Sequence, residues 1–174
     1  MDFRSTSSDI EELQGVPRTL LIPLAARARA ARMLPALDPQ DRFAQAALEA
    51  TGTEVHLSPA DQTTLVNVLW RTGRIKELGC DFFERHTDSP GVDLGAGLAH
   101  HFQWMNNGCN SWVDVDLPEV VALRQSLLQD DTDRNQHSAA DLTQPGWWQR
   151  LALPASAHRK PLLLVCEGVL MYLQ

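Results

Sequence analysis

Gly91-Val92-Asp93-Leu94-Gly95-Ala96-Gly97 is the stretch whose reading decides the fold. Gly91 to Leu94 is a short apolar strand that runs straight into glycines. The backbone can turn sharply there and approach a ligand closely. In open parallel sheets, the turn after the first strand is where adenosine-bearing cofactors sit. The third glycine of the G-x-G-x-x-G pattern is missing, and His100 stands in its place. That weakens a dinucleotide reading, in which a pyrophosphate must rest on a helix N-terminus.

Downstream of this turn the pattern is an alternation. Ser111 to Val115 reads as a second strand. Pro118 to Leu128 reads as a helix, with the proline in its first turn. A third strand is expected around Gln136 to Ala140, and a short helix over Trp147 to Leu151. Pro161 to Cys166 is a continuous apolar run, the kind buried on both faces of a parallel sheet. Strands alternating with helices imply an α/β protein with a Rossmann-like, doubly wound parallel sheet.

Upstream, residues 1 to about 88 read as a helical cover. One helix occupies the region from Thr19 to Met33. A second, Arg42 to Ala50, follows the Asp38-Pro39 start signal. A third is opened by Ser58-Pro59-Ala60-Asp61, with Ser58 as N-cap. It is expected to bury Leu65, Val66, Leu69, Ile75 and Leu78 on one face. The expected division is a helical N-terminal cover over 1–88 and a partial sheet domain over 89–174. The sequence ends just after the fourth strand, without the sheet's C-terminal strands. Such an edge is a hazard, so further polypeptide or a second copy of the chain is expected to cover it.

Bulk composition excludes several classes. The chain has 174 residues, 44% of them apolar, which suits a folded domain and not a disordered one. Its net charge of -7 argues against nucleic acid or an anionic membrane as the main partner. Cys80, Cys109 and Cys166 have no C-x-x-C spacing, so they read as buried, reduced thiols of a cytoplasmic protein. The N-terminus lacks the basic and apolar regions of a secretory signal. Pro23, Arg27, Arg29 and Arg32 make the early apolar stretch unfit to span a bilayer.

Polar groups collect at strand ends. Asp116 lies 21 positions after Gly95, at the end of the second strand, where an acid grips ribose hydroxyls. Asp141 follows the third strand, where an adenine-facing acid or amide belongs. Glu167 follows the fourth. With Gly95, Ala96 and Gly97 they define one rim of the sheet, and S-adenosylmethionine, which carries no phosphate, fits that rim better than NAD. Structural roles compete. Asp116 could cap the helix at Pro118, and Asp141 the helix near Trp147. Glu167 could pair with a core neighbour. His100-His101 invites a metal reading, but adjacent helical positions point about 100° apart and rarely share one ion. Trp147-Trp148 reads as packing.

Three segments resemble the leucine carboxyl methyltransferase family, in its bacterial branch that includes polyketide O-methyltransferases. They are Val92-Asp93-Leu94-Gly95-Ala96-Gly97-Leu98, Asp114-Val115-Asp116-Leu117-Pro118-Glu119-Val120-Val121 and Cys166-Glu167-Gly168-Val169-Leu170-Met171-Tyr172-Leu173. Thr19 to Ala28, Asp38-Pro39 and Arg71-Thr72 extend the likeness upstream. The resemblance implies a methyltransferase sheet, S-adenosylmethionine as cofactor and a small-molecule methyl acceptor. It implies that Arg71 pairs with the cofactor's carboxylate, with Arg27 as a second basic contact. Gly95, Ala96 and Gly97 line the cofactor, Asp116 with Leu117 holds the ribose, Asp141 and Leu142 hold the adenine, and Glu167 lies beneath the sulfonium. The chain departs from the family after Leu98: Ala99-His100-His101 replaces the usual Asp-Thr-Arg. A carboxylate acceptor would need no general base and a hydroxyl would; no base is assigned. A non-catalytic cofactor-binding module and another Rossmann-like nucleotide binder remain as alternatives.

Overall fold

In the computed structural model, residues 17–52, 54–57, 61–128, 132–151, 153 and 159–173 are described. The expected N-cap Ser58 and Pro59 lie outside these residues. The described elements are α1 (Pro17–Met33), α2 (Ala44–Ala50), α3 (Gln62–Arg85), β1 (Pro90–Leu94), α4 (Phe102–Met105), β2 (Ser111–Asp116), α5 (Pro118–Leu128), β3 (Asn135–Ala139), α6 (Trp147–Arg150) and β4 (Leu163–Val165). The strands form one sheet in the order β3-β2-β1-β4, every pairing parallel. That order is one half of a doubly wound sheet, with β1 at the centre.

Strand residues alternate between two cores, as the period of two requires. On one face Trp112 of β2 and Val165 of β4 pack with Phe83 of α3 and with Phe102 and Met105 of α4. On the other, Val92, Val113 and Val115 pack with Ala140 and Leu151, joined by Leu142, Trp147 and Trp148. Gly91 is required by this packing: a Cβ there would collide with the Trp112 ring. The helical cover docks through α1. Its Leu24 and Ala25 join Ala44, Ala47 and Leu48 of α2 against Leu98 and Leu128. Its Ala26 and Ala30 meet Leu65, Val68 and Leu69 of α3.

Several expectations shift. The buried face of α3 runs through Leu65, Val68, Leu69, Thr72, Gly79 and Phe83. Leu78 lies off that stripe and is 57% exposed, and Val66 is only half-buried. Helix α2 starts at Ala44, two residues late, because the Asp41 carboxylate accepts the Phe43 and Ala44 N–H groups, both at 3.0 Å. β3 begins one residue early. β4 is shorter than its apolar run, and Leu164 is 52% exposed. The expectation of burial on both faces fails because, among the described residues, β4 pairs with β1 alone. The three cysteines are free, but Cys109 is exposed and the other two are half-buried. Among the described residues, no helix is long and apolar enough to cross a membrane.

Candidate functional site

The carboxyl ends of the strands open into a cavity of about 360 Å³. Arg27, Arg71, Gly95, Ala96, Gly97, Asp116, Leu117, Asp141, Leu142 and Glu167 all line it, so the structure brings every expected site residue to one place. Leu20 and Pro23 of α1 and Tyr172 of the 3-10 turn Leu170–Tyr172 add an apolar rim.

The glycine turn is shaped by conformation and by contact. Gly95 and Gly97 have φ of +68° and +51°, a region that penalises any Cβ. A Cβ on Gly95 would strike Val169, and one on Gly97 would lie 2.8 Å from Leu20. The turn is therefore fitted between α1 and the segment after β4. Its amides are also tied down. The N–H groups of Gly95 and Ala96 donate to the Val115 carbonyl, at 2.7 and 3.1 Å. Gly97 N–H donates to Asp116 Oδ2 at 2.8 Å, and Leu117 N–H to Asp116 Oδ1 at 2.8 Å. Asp116 thus bonds the turn and its own neighbour. Burial raises its carboxyl above the usual range, against the pull of these two amides and the Arg124 charge.

A charged ladder forms one wall. Asp93 Oδ2 accepts from His101 Nδ1 at 2.6 Å, and Glu167 Oε2 from His101 Nε2 at 2.9 Å. Glu167 Oε1 then takes Arg71 Nε at 2.7 Å and the Thr72 hydroxyl at 3.1 Å. His101 is fully buried. Burial alone would lower its pKa, but the Asp93 and Glu167 carboxylates raise it to about 10. Burial would raise Glu167; His101 and Arg71 override that and hold it at about 2. The imidazole is therefore a cation donating from both nitrogens.

The remaining residues divide by how their polar atoms are used. Arg27 donates from Nε to Asp41 at 2.9 Å and from Nη2 to the Leu98 carbonyl at 2.9 Å. Asp141 is bonded within its own loop, accepting from Thr143 N–H at 2.9 Å and Thr143 Oγ1 at 2.6 Å. Those bonds hold its carboxyl below the usual range. Its partners are loop groups, not amides of α6. His100 and His101 diverge: His100 packs edge-on against Phe43 with ring centroids 4.5 Å apart, while His101 joins the ladder.

Sequence reading missed two features. One is His101 as the bridge between two carboxylates. The other is Arg124 of α5, fully buried, which holds Asp114 through Nη2 at 2.7 Å. A signal existed for both. Asp93 and Asp114 are carboxylates inside apolar strands, and a buried carboxylate needs a cation.

A parallel sheet ordered β3-β2-β1-β4 with this rim has the Rossmann-like methyltransferase fold. Residues 21–174 match the leucine carboxyl methyltransferase family, and the chain belongs to it. It is 29% identical over 164 residues to the tetracenomycin polyketide synthesis O-methyltransferase TcmP of Streptomyces glaucescens. That match covers 93% of this chain and 58% of the relative's length.

Proposed function

We propose that the cavity binds S-adenosylmethionine and serves methyl transfer to an oxygen of a small molecule. The supporting observation is the convergence of the glycine turn, Asp116 and a buried acceptor left open on one cavity wall. Asp93 is fully buried and lines the cavity, and its Oδ1 has no hydrogen-bond partner among the described residues. Such an atom suits an ammonium group. Arg71 spends Nε on Glu167, and its Nη2 lies near Gly168 at the cavity wall, suited to a carboxylate. An amino acid moiety offers both charges.

Asp116 would exchange an amide bond for ribose hydroxyls, and Leu117, Asp141 and Leu142 would flank the adenine. Arg27 would support the turn through Leu98. When bound, the cofactor supplies an activated methyl on a sulfonium. The chain's own contribution is orientation and charge. Glu167, held ionised, favours a cationic centre above it. His101 is committed as a cation and Glu167 is bonded to three donors, so neither is free to accept a proton near neutral pH. An acceptor already ionised, a carboxylate, needs no such group. The relative is named for polyketide synthesis, and the Leu20, Pro23 and Tyr172 rim would accommodate a partly apolar acceptor of that class.

Calorimetric titration with S-adenosylhomocysteine tests the cofactor. Binding should weaken about 100-fold in Asp116→Ala, the loss of a charge-assisted contact to two hydroxyls. Tight NADH binding in its place would overturn the reading. Transfer of a labelled methyl to aromatic carboxylic acids separates an enzyme from a binding module.

A further inference from the structure

Arg124 is an unusual side chain to find at the centre of a helix face. Val120, Val121 and Leu128 of α5 are buried beside it, and its own exposure is 0%. It reaches under the glycine turn. Its Nη1 donates to the carbonyls of Gly97 at 2.9 Å, Ala99, and Ala96 at 3.5 Å. Its Nη2 pairs with Asp114 Oδ2, and Asp114 Oδ1 takes the Trp112 indole N–H at 2.9 Å. The guanidinium is thereby fixed in orientation as well as charge.

Gly97 is consequently held at both of its backbone polar groups. Asp116 takes its N–H, and the Arg124 guanidinium supplies its carbonyl partner. The two grips differ in one respect. Asp116 lines the cavity, whereas Arg124 is sealed behind the turn and does not. A ligand can compete for the first and not the second.

We propose that Arg124 is a positioning residue for cofactor binding: it keeps the carbonyl side of the turn in place while Asp116 transfers its carboxylate from the Gly97 amide to the ligand's ribose. The inference rests on the proposed cofactor reading. Without this clamp, a turn released by Asp116 would lose its shape as the ligand arrives, and ordering it would be charged against affinity. The Arg124 charge also favours the ionised form of Asp116.

The test uses two variants with a control. Arg124→Lys keeps a cation near Asp114 but lacks the fork that reaches Asp114 and the turn carbonyls at once. The double variant Asp114→Asn with Arg124→Gln removes the pair without leaving a lone buried charge, and serves if lysine misfolds. Val120→Ala, on the same helix, reports what general loss of stability does. Amide hydrogen exchange without ligand, and titration with S-adenosylhomocysteine, are measured on all. The expected result is faster exchange at Gly97, Leu98 and Ala99 than in the control, with β2 amides alike. Affinity should fall about 10- to 100-fold, the range for losing bonds to a charged donor. A folded variant with unchanged affinity, or exchange that rises equally across the sheet, overturns the inference. If the unaltered protein fails to bind, the cofactor reading is lost and this inference with it; unchanged binding in the variants removes the inference alone.

Discussion

Two buried charge networks flank the same glycine turn, and they are built differently. Behind it, Asp114 and Arg124 are 1% and 0% exposed and never meet the cavity. Beside it, Asp93, His101, Glu167 and Arg71 all line the cavity, and exposure rises along the ladder from 0% at His101 to 36% at Arg71. The rear pair uses arginine, whose planar fork is held by several bonds at once. The front ladder is centred on the side chain whose charge depends most on its neighbours. The difference separates scaffold from contact surface: a sealed clamp where shape must hold, and partly open charge where a ligand has to fit.

The sharpest way to break the comparison is Arg124→Met. It strands a carboxylate in the core, and unfolding in urea should show a loss of about 3–5 kcal/mol. Changing Asp114 to Leu in the same chain should recover much of it, since an apolar pair of similar volume restores neutrality.

His101→Gln comes next. Glu167 keeps Arg71 and the glutamine amide can still donate to Asp93, so the expected loss is smaller, about 2 kcal/mol near pH 6. Its pH dependence is the more telling result. The folded-state pKa of His101 lies above its ordinary 6.5, at about 10. Its stabilisation is therefore complete below pH 6.5 and fades as pH rises toward 10. Glu167 lies below its ordinary 4.5, at about 2, so its share is complete above pH 4.5 and fades as pH falls toward 2. Thermal midpoints of the two proteins should differ most between pH 4.5 and 6.5 and converge on either side. A gap that stays constant from pH 6 to 10 would show that His101 is neutral.

Arg71→Ala should move stability least, by less than about 1 kcal/mol, because the pair is partly solvated. Affinity for S-adenosylhomocysteine should nonetheless fall about tenfold or more, while adenosine, which has no carboxylate, should bind as before. Equal losses for both ligands would place Arg71 in the scaffold.

The sequence carried the fold through local signals. The apolar run ending in Gly95 and Gly97, and the Asp116 to Pro118 junction, mark β1, β2 and the rim without help from distant residues. Leu164 was misread because an apolar run reads alike in a central strand and an edge strand. Which one it becomes depends on neighbours the run does not name. Leu78 was misread because its apolar character was taken for phase: at 100° per residue it falls about 140° from Leu65, well off the buried stripe of α3. The charge networks were half legible. Asp93 and Asp114 stand out in their strands, and Arg124 falls four residues after Val120 on an apolar face. The pairing itself was not legible for His101, whose second carboxylate lies 66 residues away.

That separation has a kinetic side. Glu167 meets Arg71 across 96 residues, Thr72 across 95 and His101 across 66. Contacts of such span close large loops and form late relative to helices and hairpins. The helical cover, the first two strands and the Asp114–Arg124 clamp can all assemble before Glu167 arrives. Only then does the cavity acquire its charged wall, and with Val169 the bulk that seats Gly95. A ligand that reads this wall recognises only molecules in which Glu167 has docked. In refolding from urea, ligand-dependent signal should trail the recovery of helix, making the pocket a reporter of Glu167 docking.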